Sequence, residues 1–193
     1  MNSSTFEGSD EQAVELVRQG DKEKFGVLMD RYEAKLFRYG KRFLSGQENI
    51  EDVVQEVFLK AYANIRDFDT SQRFSPWIYR IAHNTYVNAL KKRSRTPIHI
   101  FDLDLLLSHP AEEDPGALER ERKEMREMID ACLDKLRPPY REAIILHYLE
   151  ELKYEEIAEI LHVPLGTVGV RLKRAKEALR IEWEKMGFPG GQQ

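Results

Sequence analysis

Two groups of side chains in this 193-residue chain have types and spacings that could do chemistry. Arg171, Lys173, Arg174, Lys176 and Arg180 crowd into three helical turns against one acidic residue, Glu177, a density of cations that suits the neutralising of phosphates. Asp52 and Glu56 stand four apart with Gln55 between them, so a helix would bring both carboxylates to one side, where a proton-transferring pair can be imagined. Nothing else in the sequence supports catalysis by that pair. No metal-ligand cluster, phosphate-cradling glycine loop or nucleophile with a partner base accompanies it, and His83, His99, His109, His147 and His162 are scattered. The carboxylates therefore read as a solvated acidic face, with Lys60 beyond them, and no catalytic residue, metal or cofactor is expected.

The cations need an element to aim them. From Tyr154 to Arg180 the chain reads YEEIAEILHVPLGTVGVRLKRAKEALR, two short amphipathic helices around a turn. Ile157, Ala158 and Leu161 share a face of the first. Val163-Pro164-Leu165-Gly166 breaks it before Thr167 opens the second. Val168, Leu172, Ala175 and Leu179 then line one side, leaving Thr167, Val170, Lys173 and Arg174 outward with Arg171 on the flank. That is a helix-turn-helix pattern whose outward face fits a major groove, although such corners also occur as plain structure in helical bundles.

A second face lies further upstream. Ser75-Pro76 signals a helix start, and the helix it opens carries Trp77, Arg80, Asn84, Asn88, Lys91 and Arg95 along one side, with Lys92 and Arg93 completing a basic end. Aromatic, amide and cationic groups in that order suit a nucleic-acid strand whose bases stack or are pocketed while its phosphates are held. The neighbouring side, with Tyr79, His83, Tyr86 and Leu90, is expected to add aromatic surface. The plainer reading keeps Trp77 and Tyr86 in the core and makes Asn84 and Asn88 incidental.

Periodicity predicts an all-α fold of two small domains. Helices are expected over Asp10 to Gln19, over Lys22 to Leu44 with Phe25, Leu28, Met29, Tyr32, Leu36 and Phe43 packed, and over Ile50 to Ile65 with Val54, Val57, Phe58 and Ala61 buried. A polar loop, Arg66 to Arg73, precedes the helix of the second face. The first domain spans 10–95. Over 96–120 the periodicity disappears, Pro97, Pro110 and Pro115 appear and acidic residues dominate, which predicts a flexible linker of roughly 25 residues reaching about 80 Å if extended. The second domain, 121–186, resumes with Met125, Met128, Ile129, Cys132, Leu133 and Leu136, and 187–193 reads as a disordered tail.

Charge and cysteine content narrow the setting. A net charge of −4 with an isoelectric point near 5.8 argues against indiscriminate nucleic-acid binding, because the cations are local rather than general. Cys132, the single cysteine, rules out an internal disulfide framework and is expected to pack as a small apolar residue. With no apolar run able to cross a bilayer and no secretory order in MNSSTFEGSDEQ, a cytoplasmic protein is expected.

EDVVQEVFLKAY from Glu51, FSPWIYRIAHNTYVNALKKRSR from Phe74 and YEEIAEILHVPLGTVGVRL from Tyr154 resemble, in order and spacing, three blocks of the extracytoplasmic-function (ECF) group of bacterial RNA polymerase sigma factors. The resemblance implies a region 2 helical bundle and a region 4 helix-turn-helix, and a role in promoter-specific transcription initiation without catalysis. Asp52, Gln55 and Glu56 would face the clamp coiled coil of the polymerase largest subunit, and the flap of the core enzyme would be a further partner. Trp77, Arg80, Asn84, Asn88, Lys91, Lys92, Arg93 and Arg95 would engage the minus-10 element, with the 66–73 loop holding a flipped base at a stacking cost that its pocket must offset. Thr167, Val170, Arg171, Lys173 and Arg174 would lie at the minus-35 element. The linker would run toward the RNA exit path, promoter DNA would be the target, an anti-sigma factor is expected, and the free protein would be a monomer without a membrane segment.

The chain departs from the family pattern where Gly169 and Val170 replace a basic residue and a serine, and where His83 and Asn88 replace arginine and aspartate. Glycine inside that helix costs about 1 kcal/mol, and an outward valine suits a thymine methyl. Two other readings stay open at this point. An ordinary dimeric DNA-binding regulator would need a palindromic site, and an enzyme built on Asp52, Glu56 and His83 would need a pocket joining all three.

Overall fold

The computed structural model describes residues 6–94, Met125 and 128–185, apart from Arg42 and Ser45 and from the side chains of Glu48, Arg93 and Ser94. Every regular element among the described residues is helical, as the sequence predicts. The chain divides into two compact units, the first made of the residues up to Leu106 together with Glu159–Leu161 and the second of the remainder. The expected linker at 96–120, Arg95 and the tail at 187–193 lie outside the described residues.

The first unit contains α1 (Asp10–Arg18), α2 (Glu23–Gly40), α3 (Gln47–Ala63) and α4 (Phe74–Ser94). Ser9 starts α1 with a capping box: its hydroxyl accepts from the Gln12 amide while the Gln12 side chain accepts from the Ser9 amide. Gly20, at φ +108°, lets the chain turn back into α2 through a backbone conformation that side chains resist. Ala13, Val14, Val17, Phe25, Leu28, Leu36, Val54, Val57, Phe58 and Ala61 form a common core, an arrangement their helical spacing anticipates. Met29 is a correction, being 39% exposed on α2 rather than packed. The second helix is also shorter than expected, stopping at Gly40, where the Tyr86 ring fills the space beside the backbone.

Asp10 mounts α1 on α2 by accepting from Arg31 Nη1 at 2.7 Å and from the Tyr32 hydroxyl at 2.6 Å. Burial pushes the Tyr32 and Tyr86 hydroxyls well above the ordinary value of 10.0, and for Tyr32 the neighbouring Asp10 carboxylate adds to the effect. A folded-state pKa raised above the unfolded one contributes stability that is complete below the unfolded value and is lost as pH rises through the folded value. The melting temperature should therefore hold up to pH ~10 and fall beyond it, which thermal melts followed by circular dichroism across that range would check.

The second unit begins with α5, helical over 128–135, where Cys132 and Leu133 are buried, the cysteine as expected. Leu136 follows it into the core, and Pro138-Pro139 open α6 (Pro138–Ile144), which widens into a π turn over Ile145–Leu149. Then come α7 (Tyr154–Leu161) and α8 (Leu165–Lys185). The α7–α8 turn is closed by His162 at φ +52°, with the Val163 amide donating back to the Ala158 carbonyl, the wrap usually made with glycine. The break is shorter than the sequence suggests. The second helix opens at Leu165 rather than Thr167, because the Thr167 amide already donates to the Pro164 carbonyl at 2.8 Å and brings Leu165 and Gly166 into the first turn. Val168, Leu172 and Ala175 are buried beneath it and Leu179 is half-buried.

Candidate nucleic-acid interface

On α8, Val170 is 51% exposed and Lys173 and Arg174 are exposed beside it, while Thr167 and Arg171 flank them half-buried. This is the outward face the spacing predicts. Gly169 lies in the same stretch, and a methyl group added there would meet only the Tyr154 ring, at an ordinary 3.9 Å. With no clash to offset the gain, Gly169→Ala should stabilise the second unit by about 0.5–1 kcal/mol through helix propensity. A higher urea midpoint without a change in slope would show it.

The face extends beyond the residues that periodicity picks out. Arg174 Nη1 donates to the Tyr140 hydroxyl at 3.4 Å, and the Arg137 guanidinium lies over the Tyr140 ring at 5.8 Å from its centroid. The hydrogen bond from Arg174 and the charges of Arg174, Arg137 and Arg171 hold the Tyr140 hydroxyl below its usual range. Lys176 sits over the exposed Tyr148 ring at 5.2 Å. Tyr140 and Tyr148 come from α6 and the turn after it, so only the tertiary packing of that segment against α8 brings them to the basic helix. The one hint in the sequence is Arg137 beside Tyr140.

On α4, Arg80, Asn84, Asn88 and Lys91 form an exposed strip at i, i+4, i+8 and i+11, and Lys92 is exposed next to it. Trp77, at the head of the strip, is half-buried against Phe68 and Phe74, with ring centroids 5.1 and 5.4 Å away. It thus ties the 66–73 loop to the start of α4. The aromatic surface expected on the neighbouring side is not there. Tyr79 and Tyr86 are fully buried, Tyr86 donating to the Leu36 carbonyl at 3.0 Å, and the half-buried His83 pairs with the Tyr39 hydroxyl at 3.2 Å. That side of α4 packs on α2. An aromatic ring there is worth more as buried area than as a platform in water. Of that group Leu90 alone is exposed.

On α3, Asp52, Gln55 and Glu56 are exposed together, as their spacing predicts. Glu56 pairs with Lys60 at 2.7 Å, and Lys60 reaches across to the buried Thr85 hydroxyl of α4 at 3.2 Å. Leu59, 71% exposed, continues the acidic face one turn on, with Tyr62 near it. The sequence does carry a signal for Leu59, since it falls outside the Val54, Val57, Phe58, Ala61 stripe and four residues after Gln55. The trio of Asp52, Glu56 and His83 does not assemble, because His83 turns toward α2 while the two carboxylates face outward from α3. Among the described residues no group of three His, Cys, Asp or Glu side chains is placed to hold a metal, and no helix is long and apolar enough to cross a membrane.

A helical bundle with a polar and cationic outer helix, followed by a helix-turn-helix with a basic second helix, defines a DNA-binding protein of transcription. Residues 28–96 match the family model described as Sigma-70 region 2, and residues 126–179 match Sigma-70, region 4. The ECF RNA polymerase sigma factor SigW of Bacillus subtilis is 34% identical over 175 residues, covering 86% of this chain and 92% of that protein. The ECF RNA polymerase sigma-E factor of Haemophilus influenzae is 37% identical over 180 residues, covering 89% and 93%. In fold the chain is similar to CnrH, solved in complex with the cytosolic domain of CnrY, at a TM-score of 0.64 and 22% identity over 92% of this chain and 99% of that one. It is also similar to the sigma factor RpoE from Bartonella quintana, solved with the anti-sigma factor NepR, at a TM-score of 0.66 and 24% identity over 84% and 98%. The chain belongs to the ECF group of RNA polymerase sigma factors, and transcription initiation is the process it serves.

Proposed function

We propose that this chain docks on core RNA polymerase through α3, reads a minus-35 element with α8, reads a minus-10 element with α4 and helps open the duplex there, catalysing no reaction itself. The observation that carries this is the pairing of two exposed nucleic-acid-type faces, Arg80, Asn84, Asn88 and Lys91 on one unit and Val170, Lys173 and Arg174 on the other. They suit different forms of DNA. The α8 face offers a cationic helix to a groove and its flanking phosphates, with Thr167 and Arg171 at its edges. The α4 face offers amides and cations to a strand, with Trp77 at the loop where a flipped base would be held and Lys92 at its basic end, and Arg93 and Arg95, next in the sequence, are proposed to join them.

In this reading 10–95 is the polymerase-docking and minus-10 domain, 121–186 the minus-35 domain, 96–120 an acidic linker directed at the RNA exit path, and 187–193 a tail. Asp52, Gln55 and Glu56 meet the clamp coiled coil, and region 4 meets the flap. The protein is a monomer when free and acts in the cytoplasm, where its polymerase is. CnrH and RpoE were solved with the cytosolic domain of CnrY and with the anti-sigma factor NepR, and a protein antagonist of that kind is proposed here too. Run-off transcription with purified core enzyme on genomic fragments tests the function: discrete start sites preceded by a shared upstream and downstream element are expected, and no start sites beyond those of core enzyme alone would refute it.

Arg174→Ala should weaken binding to a minus-35 duplex on the order of 10-fold and make the log-log salt slope shallower by about one, as happens when one phosphate fewer is neutralised. Filter-binding titrations at several salt concentrations measure both. An unchanged slope with unchanged affinity would remove Arg174 from the interface.

A further inference from the structure

We infer that α1 is a positioning brace for the 66–73 loop, and that strand opening depends on it although its brace residues need not touch DNA. The inference rests on the proposed role of that loop at the minus-10 element.

Glu11, Glu15 and Arg18 fall at i, i+4 and i+7 and so share one face of α1. Together they hold the segment at its beginning, middle and end. Arg18 Nε donates to the Ile65 carbonyl at 3.0 Å, and its Nη2 donates to the carbonyls of Arg66, at 3.1 Å, and of Phe68. A guanidinium thus gathers carbonyls just past the end of α3, loop acceptors that no helix ladder serves. Glu15 Oε1 accepts from the Thr70 hydroxyl at 2.6 Å and from Arg18 Nη1 at 3.3 Å, which links the middle of the loop to the same network. Glu11 Oε1 accepts from the Phe74 amide at 2.9 Å, the first amide of α4.

That last hydrogen bond replaces the cap expected from Ser75-Pro76. The helix opens at Phe74 instead, and its first free amide is taken by a carboxylate 63 residues earlier. Burial raises the affinity of the Glu11 carboxyl for a proton, but the Phe74 amide and its other donors outweigh this and hold it below the usual range. A cleft of about 500 Å3 lies beside the same face of α1, lined by Phe6, Glu11, Gln12, Glu15, Leu16 and Thr70. Inside the loop, local turns do the rest, with the Ser71 amide donating to Asp69 Oδ1 at 2.9 Å and the Gln72 amide to the Asp69 carbonyl at 2.9 Å. The brace is itself rigidly mounted, by Asp10 on Arg31 and Tyr32 and by the buried Ala13, Val14 and Val17. A loop that must capture a base works only when held in place, since a displacement of about 1 Å can cost on the order of 100-fold in rate.

The test uses the full-length protein with Thr70→Val, Arg18→Lys, Glu11→Ala and Glu11→Gln. Thr70→Val removes a hydrogen bond of the loop without touching the core, so it stays informative even where an Arg18 variant folds poorly. Hydrogen exchange of the free protein comes first. Amides over 66–73 should exchange at least about 10-fold faster in Thr70→Val, Arg18→Lys and Glu11→Ala, with the α2 and α3 core amides unchanged, and Glu11→Gln, which keeps an acceptor for the Phe74 amide, should match the wild type. Unchanged exchange over 66–73 in all variants overturns the brace, whatever happens at a promoter.

Permanganate footprinting of promoter opening with core polymerase comes second. Opening should slow by about 10-fold or more in the three disruptive variants and recover in Glu11→Gln, while polymerase retention and minus-35 duplex binding stay at wild-type level. Faster exchange with wild-type opening overturns the link between brace and opening. A wild-type protein that opens no promoter refutes the proposed function, and the exchange result still decides the brace on its own.

Discussion

Reversing charge at Asp52 and Glu56, as Asp52→Lys with Glu56→Lys, should abolish retention of core RNA polymerase while leaving the fold intact. Both side chains are exposed on α3, with Gln55 between them and the exposed Leu59 one turn on. If they meet a cationic partner surface, two reversals convert attraction to repulsion, a like-charge penalty of several kcal/mol. At about 1.4 kcal/mol per tenfold, that means a drop on the order of 100-fold or more in affinity. The internal cost is small. Glu56→Lys breaks the exposed pair with Lys60 and sets two cations four residues apart, changes that cost about 0.2–0.5 kcal/mol each, while the buried Val53, Val54, Val57 and Phe58 are untouched. A fluorescence titration against core enzyme, with circular dichroism as the control for folding, measures the effect. Wild-type affinity in the double variant would mean that α3 does not dock on polymerase.

Gly40→Ala should destabilise the first unit by about 1–3 kcal/mol or more, a large effect for one added methyl. An ideal Cβ at residue 40 would lie 2.3 Å from the Tyr86 hydroxyl oxygen and 2.4 and 2.6 Å from its ring carbons, distances that real packing does not reach. Tyr86 cannot easily give way. It is fully buried, donates to the Leu36 carbonyl, stacks on Phe43 with centroids 5.4 Å apart and meets Tyr39 edge-on at 6.0 Å. Either α2 and α4 separate locally or the ring leaves its position and gives up a hydrogen bond with its burial. Urea denaturation of the full chain followed by near-ultraviolet circular dichroism should show an early decline of tyrosine signal at a lower midpoint. A midpoint within error of the wild type would show that the packing here is looser than its geometry. The double variant Gly40→Ala with Tyr86→Leu should recover part of the stability, since the shorter side chain leaves room for the methyl.

Much of the candidate site can be read from spacing because its residues come in helical registers. Val170, Lys173 and Arg174 are outward since Val168, Leu172 and Ala175 are inward, and one face implies the other. The same logic places Asp52, Gln55 and Glu56 opposite Val54, Val57 and Phe58. It fails on α4, whose sequence is apolar or aromatic around much of its circumference. There periodicity offers Tyr79 and Tyr86 as surface, because it has no means of choosing which aromatic side faces α2. Tyr140 is invisible to it, because this tyrosine belongs to a different helix from Arg174, the residue it pairs with.

What the chain determines by itself is the helical class, the register of each amphipathic face and the placing of charge on those faces, because these follow from a 3.6-residue period and from local turn chemistry. What only the tertiary structure decides is which helices cover which faces and where segments without periodicity are held. Arg18 reaches carbonyls 47 to 50 residues away and Glu11 caps a helix 63 residues on. Backbone carbonyls and amides carry no sequence signature of their own, so a hydrogen bond made to them becomes visible only when the fold brings the donor and acceptor together.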